Sequence, residues 1–322
     1  MVAMNGEYNC PAFQRPRVDL HLKDLRLVMV DQIMPDQNMV DKNMVHQETT
    51  DPLQPLLNKT LIVVAHPDDE VIAFGALMQR MRDAVVVFAT DGAPRDDYFW
   101  KDYGSREAYA RIRRQEAGKA LSIVGARPVF LDDFVAGDLV DQELYRNLPA
   151  ALAGLKKVVE HERPDALLTL AYEGGHPDHD SACFIASVCA QSHGLPIWEA
   201  PLYHRDNKGE GVAQKFIEPT GHEIVTQVEG VALARKIEMF HTYVSQKLVL
   251  DGFRPELEQF RPMAEYDFAR RPAPWKLNYE IWQWKMSGEE VAGKFADVLA
   301  ASPSRKAELA GATRRGHPNK AI

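Results

Sequence analysis

This 322-residue chain has no run of about 18 apolar residues, only three cysteines and no surplus of positive charge. The missing apolar run excludes a membrane-spanning helix. The few cysteines exclude a disulfide framework: Cys10 lies near the start, while Cys183 and Cys189 fall on one expected helix, where they read as packing residues in a reducing compartment. A net charge of −8 argues against nucleic acid as a partner, because a polyanion needs a basic footprint, and basic residues gather only locally, at 111–114 and 270–271. No G-x-G-x-x-G follows any apolar run, so a dinucleotide cofactor has no support. The polar residues 1–10 carry no signal-peptide pattern, and the expectation is a cytoplasmic protein with no membrane partner.

What is present is ligand chemistry set at the ends of apolar runs. Leu61, Ile62, Val63, Val64 and Ala65 read as a strand buried on both faces, and His66, Pro67, Asp68, Asp69 and Glu70 follow directly. Open α/β sheets keep their chemistry at that carboxyl end. Pro67 suits a first helical turn, so Asp68, Asp69 and Glu70 are expected in that turn, where the helix dipole favours negative charge. His66 and Asp69 can then converge on one point, and an imidazole with a carboxylate suits zinc. A single box of this kind is explained nearly as well by dipole-complementing residues at a helix start.

The pattern recurs. Residues 166–171 form a second buried-strand run, followed by Tyr172, Glu173, Gly174 and Gly175 and then by His176, Pro177, Asp178, His179 and Asp180, with a helix expected over 181–192. Two such constellations exceed what a packed core requires.

At these residues the chain resembles the LmbE-like, or PIG-L, family of zinc-dependent N-acetylglucosaminyl deacetylases, whose signatures are an AHPDDE box, here residues 65–70, and an HPDH box, here 176–179. Arg113, Arg114, Gln115 and Glu116 fall where the family has R-x-x-E, and Tyr243, Val244, Ser245 and Gln246 also look like the family. The resemblance runs from about residue 59 to about 247. It implies one Zn2+ per chain held by His66, Asp69 and His179, with Asp68 as general base. His176 would stabilise the oxyanion or protonate the leaving amine, and Asp178 would orient that imidazole. The chemistry is coherent in its own right: three protein ligands leave an open position where zinc lowers a water pKa to roughly 7, a carboxylate supplies a base and an imidazole an acid. The ligand set also suits iron or cobalt.

Substrate contacts are expected from Arg113 and Asp133, with Asp138 an equal alternative to Asp133; Arg113 on a basic helix also reads as part of a solvated face. Relatives place several glycines in the helix after the first box, whereas this chain has Ala73, Phe74, Gly75 and Ala76, which makes reaction type safer to transfer than substrate identity. The implied function is hydrolysis of an N-acetyl group from an N-acetylglucosamine-type sugar or glycoconjugate. The alternatives are a zinc amidase acting on a thiol-sugar conjugate or natural-product amide, and a non-catalytic sugar-binding protein.

The expected fold is α/β, a Rossmann-like parallel sheet flanked by helices on both faces. Residues 1–56 are expected to be a flexible extension, 57–250 the catalytic domain, and 251–322 a C-terminal α+β extension with a loose tail. Within the first segment a five-residue repeat with methionine at a fixed place spans 28–47, a period that gives no continuous helical or strand face. Residues 275–284, with Trp275, Tyr279, Trp282 and Trp284, alternate like a strand; its aromatics read as core packing or as a wall for a sugar or apolar aglycone. His204 and His241 read as structural histidines, and a homo-oligomer is left open.

Overall fold

Five parallel strands build most of the sheet. The computed structural model describes residues 51–301, so the methionine repeat, Cys10 and the expected terminal tail lie outside the described residues. Strands β1 (Lys59–Val64), β2 (Asp83–Phe88), β3 (Arg127–Phe130), β4 (Ala166–Leu170) and β5 (Ile197–Ala200) run parallel in the order β3-β2-β1-β4-β5. Between them lie helices α1 (Asp69–Phe74), α2 (Arg106–Ser122), α3 (Leu148–Glu162) and α4 (Pro177–His193). A small antiparallel pair follows, β6 (Tyr203–Arg205) with β7 (Gly211–Ala213). Then come β8 (Ile224–Gln227), α5 (Gly230–Thr242), α6 (Lys247–Leu250) and β9 (Leu257–Pro262). β9 pairs antiparallel with β5 and with β8, completing a 7-stranded sheet. Residues beyond 250 therefore supply an inner strand, followed by α7 (Asn278–Ile281) and α8 (Gly288–Ala301).

Strand alternation explains the two layers. Leu61, Val63, Val85, Val87 and Leu167 face one core with residues of α3, α4 and α8, while Ile62, Val64, Val86, Phe88 and Leu168 face the other with residues of α1, α2 and α5. Central strands covered on both faces must be apolar throughout, which is why β1, β2 and β4 were legible as continuous runs. Helices on both sides of a mostly parallel sheet bear out the expected fold class.

The strand order also places the site. β1 and β4 are neighbours, and the connections leaving them run to opposite faces, so the crevice beyond their carboxyl ends is the switch point of the sheet. Both histidine boxes open into that crevice.

Three local expectations change. The first helix begins at Asp69, with Asp68 as its N-cap at φ 130, so Pro67 and Asp68 lie before it. The second begins at Pro177 with His176 as N-cap, which puts His179 inside the helix. Residues 275–284 are not a strand: Glu280 accepts the backbone N–H of Leu277 at 2.8 Å, closing a helical turn that overrides the alternation.

Candidate metal centre

The turn after β1 organises itself. Asp69 Oδ2 accepts the backbone N–H groups of Ala65 at 3.1 Å and His66 at 2.8 Å, leaving Oδ1 turned to His179 Nε2 at 3.2 Å. His66 Nδ1 lies 3.3 Å from His179 Nε2 and 3.6 Å from Asp69 Oδ2. All three residues are buried. Ligand atoms at about 2.0–2.1 Å from a tetrahedral zinc stand about 3.4 Å from one another, a spacing the His66 Nδ1–His179 Nε2 pair matches, with Asp69 Oδ1 the carboxylate oxygen left free beside His179. A lone imidazole and carboxylate pair has no need of a second imidazole nitrogen at the same point. His66, Asp69 and His179 thus lie together.

Behind His66, its Nε2 lies 3.2 Å from both Asp178 Oδ2 and Asp141 Oδ1. A carboxylate against the far nitrogen holds the near one available as a ligand. Burial alone would push the His66 pKa down, yet Asp141, Asp178 and Asp69 hold it well above the ordinary value. Asp69 is opposed by burial as well, but His179 and His66 draw it down to about 2.

Asp68 sits at the edge of this group in a strained backbone conformation that an aspartate seldom adopts. Burial raises its pKa to about 7 against the pull of Arg113, whose Nη2 lies 3.2 Å from Asp68 Oδ1. Arg113 is buried, not part of a solvated face: its guanidinium also bonds the carbonyls of Pro67 and Gly92 and the Tyr109 hydroxyl. It is spent on holding two loops and the Asp68 carboxylate. The neighbouring motif residues have similar tasks, since Glu116 accepts from the backbone and hydroxyl of Ser245, and Tyr243 donates to Glu70.

His176 is buried beside His66, their ring centroids 4.4 Å apart, and burial together with the charges of His66, His179 and Arg113 keeps its pKa well below the ordinary value. Its Nδ1 accepts the backbone N–H of Asp178 at 3.1 Å, which assigns the proton of the neutral ring to Nε2. That N–H points toward the cluster, 3.5 Å from Asp141 Oδ1.

Two expectations are redirected. The Asp178 carboxylate was expected to orient His176, but it stands 4.0 Å from that ring and instead contacts His66 while accepting the N–H groups of Gln142 and Leu144. Asp133 was expected at the substrate; its carboxylate is exposed and paired with Arg114, outside the cluster, on a short 3-10 turn over Leu131–Phe134. Asp138 is exposed too and pairs with Arg106.

Asp141 was missed. It is buried, its Oδ1 lies between His66 and His176, and it is placed by buried Leu139 and Val140 and by Asp91 Oδ1, which accepts its N–H. The only sequence signal was an apolar pair followed by a carboxylate. Among the described residues, ligand atoms of His66, His176 and His179 lie within 4.8 Å of one another, as do those of His66, Asp141, His176 and Asp178. The second group is the poorer cation site, since Asp178 already accepts two backbone N–H bonds.

Sheet order and donor set define an α/β protein with a histidine–carboxylate centre at its switch point. Residues 61–190 match the family model described as PIG-L: GlcNAc-PI de-N-acetylase. The chain is 27% identical over 183 residues to a 1D-myo-inositol 2-acetamido-2-deoxy-alpha-D-glucopyranoside deacetylase of Corynebacterium diphtheriae, covering 51% of this chain and 62% of that relative, which is less than two thirds of its length. A protein of the same name from Corynebacterium glutamicum is 22% identical over 253 residues, covering 70% of this chain and 84% of the relative. A crystal structure of a deacetylase from the biosynthesis pathway of teicoplanin shares the fold, with a TM-score of 0.52 and 16% identity over 65% of this chain and 99% of the other. No helix among the described residues is long and apolar enough to cross a membrane.

Proposed function

We propose that this protein is a metal-dependent hydrolase that removes the N-acetyl group from an N-acetylglucosamine-type sugar or its small glycoconjugate, releasing acetate and the free amine. The observation that carries the reading is the convergence of His66 Nδ1, His179 Nε2 and the Asp69 carboxylate at 3.2–3.6 Å, with the Arg113-bound Asp68 beside them. Corynebacterial relatives named for deacetylation of a glucosaminyl inositol support the substrate class.

His66, Asp69 and His179 would hold zinc, which when bound supplies a Lewis acid and a water of lowered pKa. Asp68, raised to about 7 by burial, is suited to accept a proton near neutral pH. Arg113 fixes the carboxylate of Asp68 and, through Pro67 and Gly92, the loops on either side of it. His176, neutral and protonated on Nε2, donates to the oxygen that gains charge as the amide becomes tetrahedral. Asp141 and Asp178 hold His66 in the orientation that presents Nδ1.

The test is amine release from N-acetylglucosamine, N-acetylglucosaminyl inositol and glycosylated antibiotics by the zinc-loaded full chain, with metal content measured on the same sample. Release that requires metal and vanishes in Asp68→Asn supports the reading; equal release by that variant overturns it.

A further inference from the structure

The C-terminal aromatics divide into two kinds. Trp275 donates its indole N–H to Arg205 O at 2.6 Å and is structural. Trp284 stands edge-on to His176 with ring centroids 4.9 Å apart, and Trp282 lies 5.2 Å from Trp284 and 6.4 Å from Tyr203. Tyr203 closes the arc against His179 at 5.3 Å. All three rings are half-buried, so they line the metal centre without being sealed in the core.

Their polar atoms are the informative part. Among the described residues, the indole N–H groups of Trp282 and Trp284 and the hydroxyl of Tyr203 have no protein acceptor or donor. A purely apolar occupant would strip water from three such groups and return no hydrogen bond. A ring with an apolar C–H face and hydroxyls on its rim would cover the aromatic surfaces and satisfy them at once.

We propose that Trp282, Trp284 and Tyr203 form a substrate subsite for a pyranose ring carrying the scissile amide, stacked by its C–H face and bonded by its hydroxyls. This deepens the deacetylase reading and rests on it for the position of the amide. The segment that brings the tryptophans is fixed to the catalytic loop: Asn278 donates from its backbone to Gly174 O at 3.0 Å and from its side chain to Gly175 O at 3.0 Å. Binding a ring there therefore meets His176 and His179 directly.

The decisive variant is Trp282→Ala, whose ring contacts Trp284 and Tyr203 and not the histidines. On the zinc-loaded full chain, calorimetric binding of methyl β-D-glucosaminide is expected to weaken about tenfold, the change that ~1.4 kcal/mol gives. The ratio of kcat/KM for methyl N-acetylglucosaminide to that for acyclic N-acetylethanolamine is expected to fall by a similar factor. Trp282→Phe, which keeps the stacking face and loses the N–H, is expected to lie between. Sugar binding unchanged in a Trp282→Ala protein of normal circular dichroism overturns the subsite, as does an equal loss on the acyclic amide. Tryptophan-dependent sugar binding without any amide hydrolysis keeps the subsite and sinks the deacetylase reading alone.

Discussion

The two turns that meet at the switch point share a local carboxylate clasp and differ in how much of their support comes from elsewhere in the chain. The turn after β1 supplies most of its own hydrogen bonds: Asp69 accepts from Ala65 and His66, and Glu70 accepts the N–H of Asp68 at 3.0 Å. In the turn after β4, Asp180 Oδ1 likewise accepts the N–H groups of Glu173 at 3.2 Å and Gly174 at 2.9 Å, but more of the support comes from distant residues. Glu173 accepts from Leu202 and Tyr203, and Asn278 anchors Gly174 and Gly175 from about a hundred residues away. The glycines are needed because the clasp is tight: a Cβ on Gly175 would meet Tyr203 O at 2.0 Å, and Gly174, at φ 69, would meet Leu277 at 2.6 Å. Both halves of the centre thus start from a local clasp, fixed from outside by Arg113 and Tyr243 in the first turn and by Leu202, Tyr203 and Asn278 in the second, which leans on distant residues more.

Removing a ligand from either half should break the site equally, because each contributes to one ion. His179→Ala and Asp69→Ala are both expected to drop bound zinc from one per chain to near zero and take hydrolysis to background. Elemental analysis after gel filtration, beside an amine-release assay, checks this; a His179→Ala protein that retains stoichiometric zinc and activity would separate the two turns.

Asp68 sharpens the contrast, since it belongs to the self-organised turn without belonging to the ligand set. Asp68→Asn keeps the volume and removes the base, so zinc content should stay at the parent level while kcat falls by about 10²–10⁴, the range for loss of general base catalysis. Metal content and kcat measured on one preparation distinguish this from a ligand effect.

The same asymmetry explains what could be read from the chain. β1, β2 and β4 are covered on both faces, so near-continuous apolar runs announced them, and the boxes at their ends pointed to His66, Asp69 and His179. Asp141 was not legible, because its place depends on Leu139, Val140 and Asp91, none of which forms a periodic element with it. The clasp of Asn278 was hidden by an alternating aromatic pattern that resembles a strand and lost to the Glu280 cap. Arg113 was singled out by its spacing as a substrate contact, whereas its bond to the Asp68 carboxylate follows only from the packing of α2 against the first turn.

Arg113 offers a smaller and more diagnostic effect. Its charge lowers the Asp68 pKa against the larger, opposing influence of burial. Arg113→Ala therefore leaves Asp68 protonated to higher pH. A protonated carboxyl cannot accept a proton, so the rising acid limb of the kcat/KM profile is expected to move to higher pH, with zinc content unchanged. Arg113→Lys should restore part of the charge effect but not the forked bonds to Pro67 and Gly92. A limb that stays in place in the Ala variant would mean that Asp68 is not the group being titrated.

The smallest effect is expected at the external clasp. Asn278→Ala removes the donor to Gly175 O and the acceptor of Arg205 Nε at 2.7 Å, leaving a buried guanidinium nitrogen without its partner. Such a loss costs about 1–3 kcal/mol, which lowers Tm by roughly 2–4 °C per kcal/mol in a body of this size. Because the clasp joins the loop that carries His176 to the segment that carries Trp282 and Trp284, and does not touch the β1 turn, kcat/KM should fall several-fold while zinc affinity holds. Asn278→Asp keeps the Arg205 contact and loses only the Gly175 donor, so it should recover most of the stability and little of the rate. If the two variants lose rate and stability in the same proportion, the second turn does not depend on this clasp for its geometry, and the contrast between the turns reduces to the glycines alone.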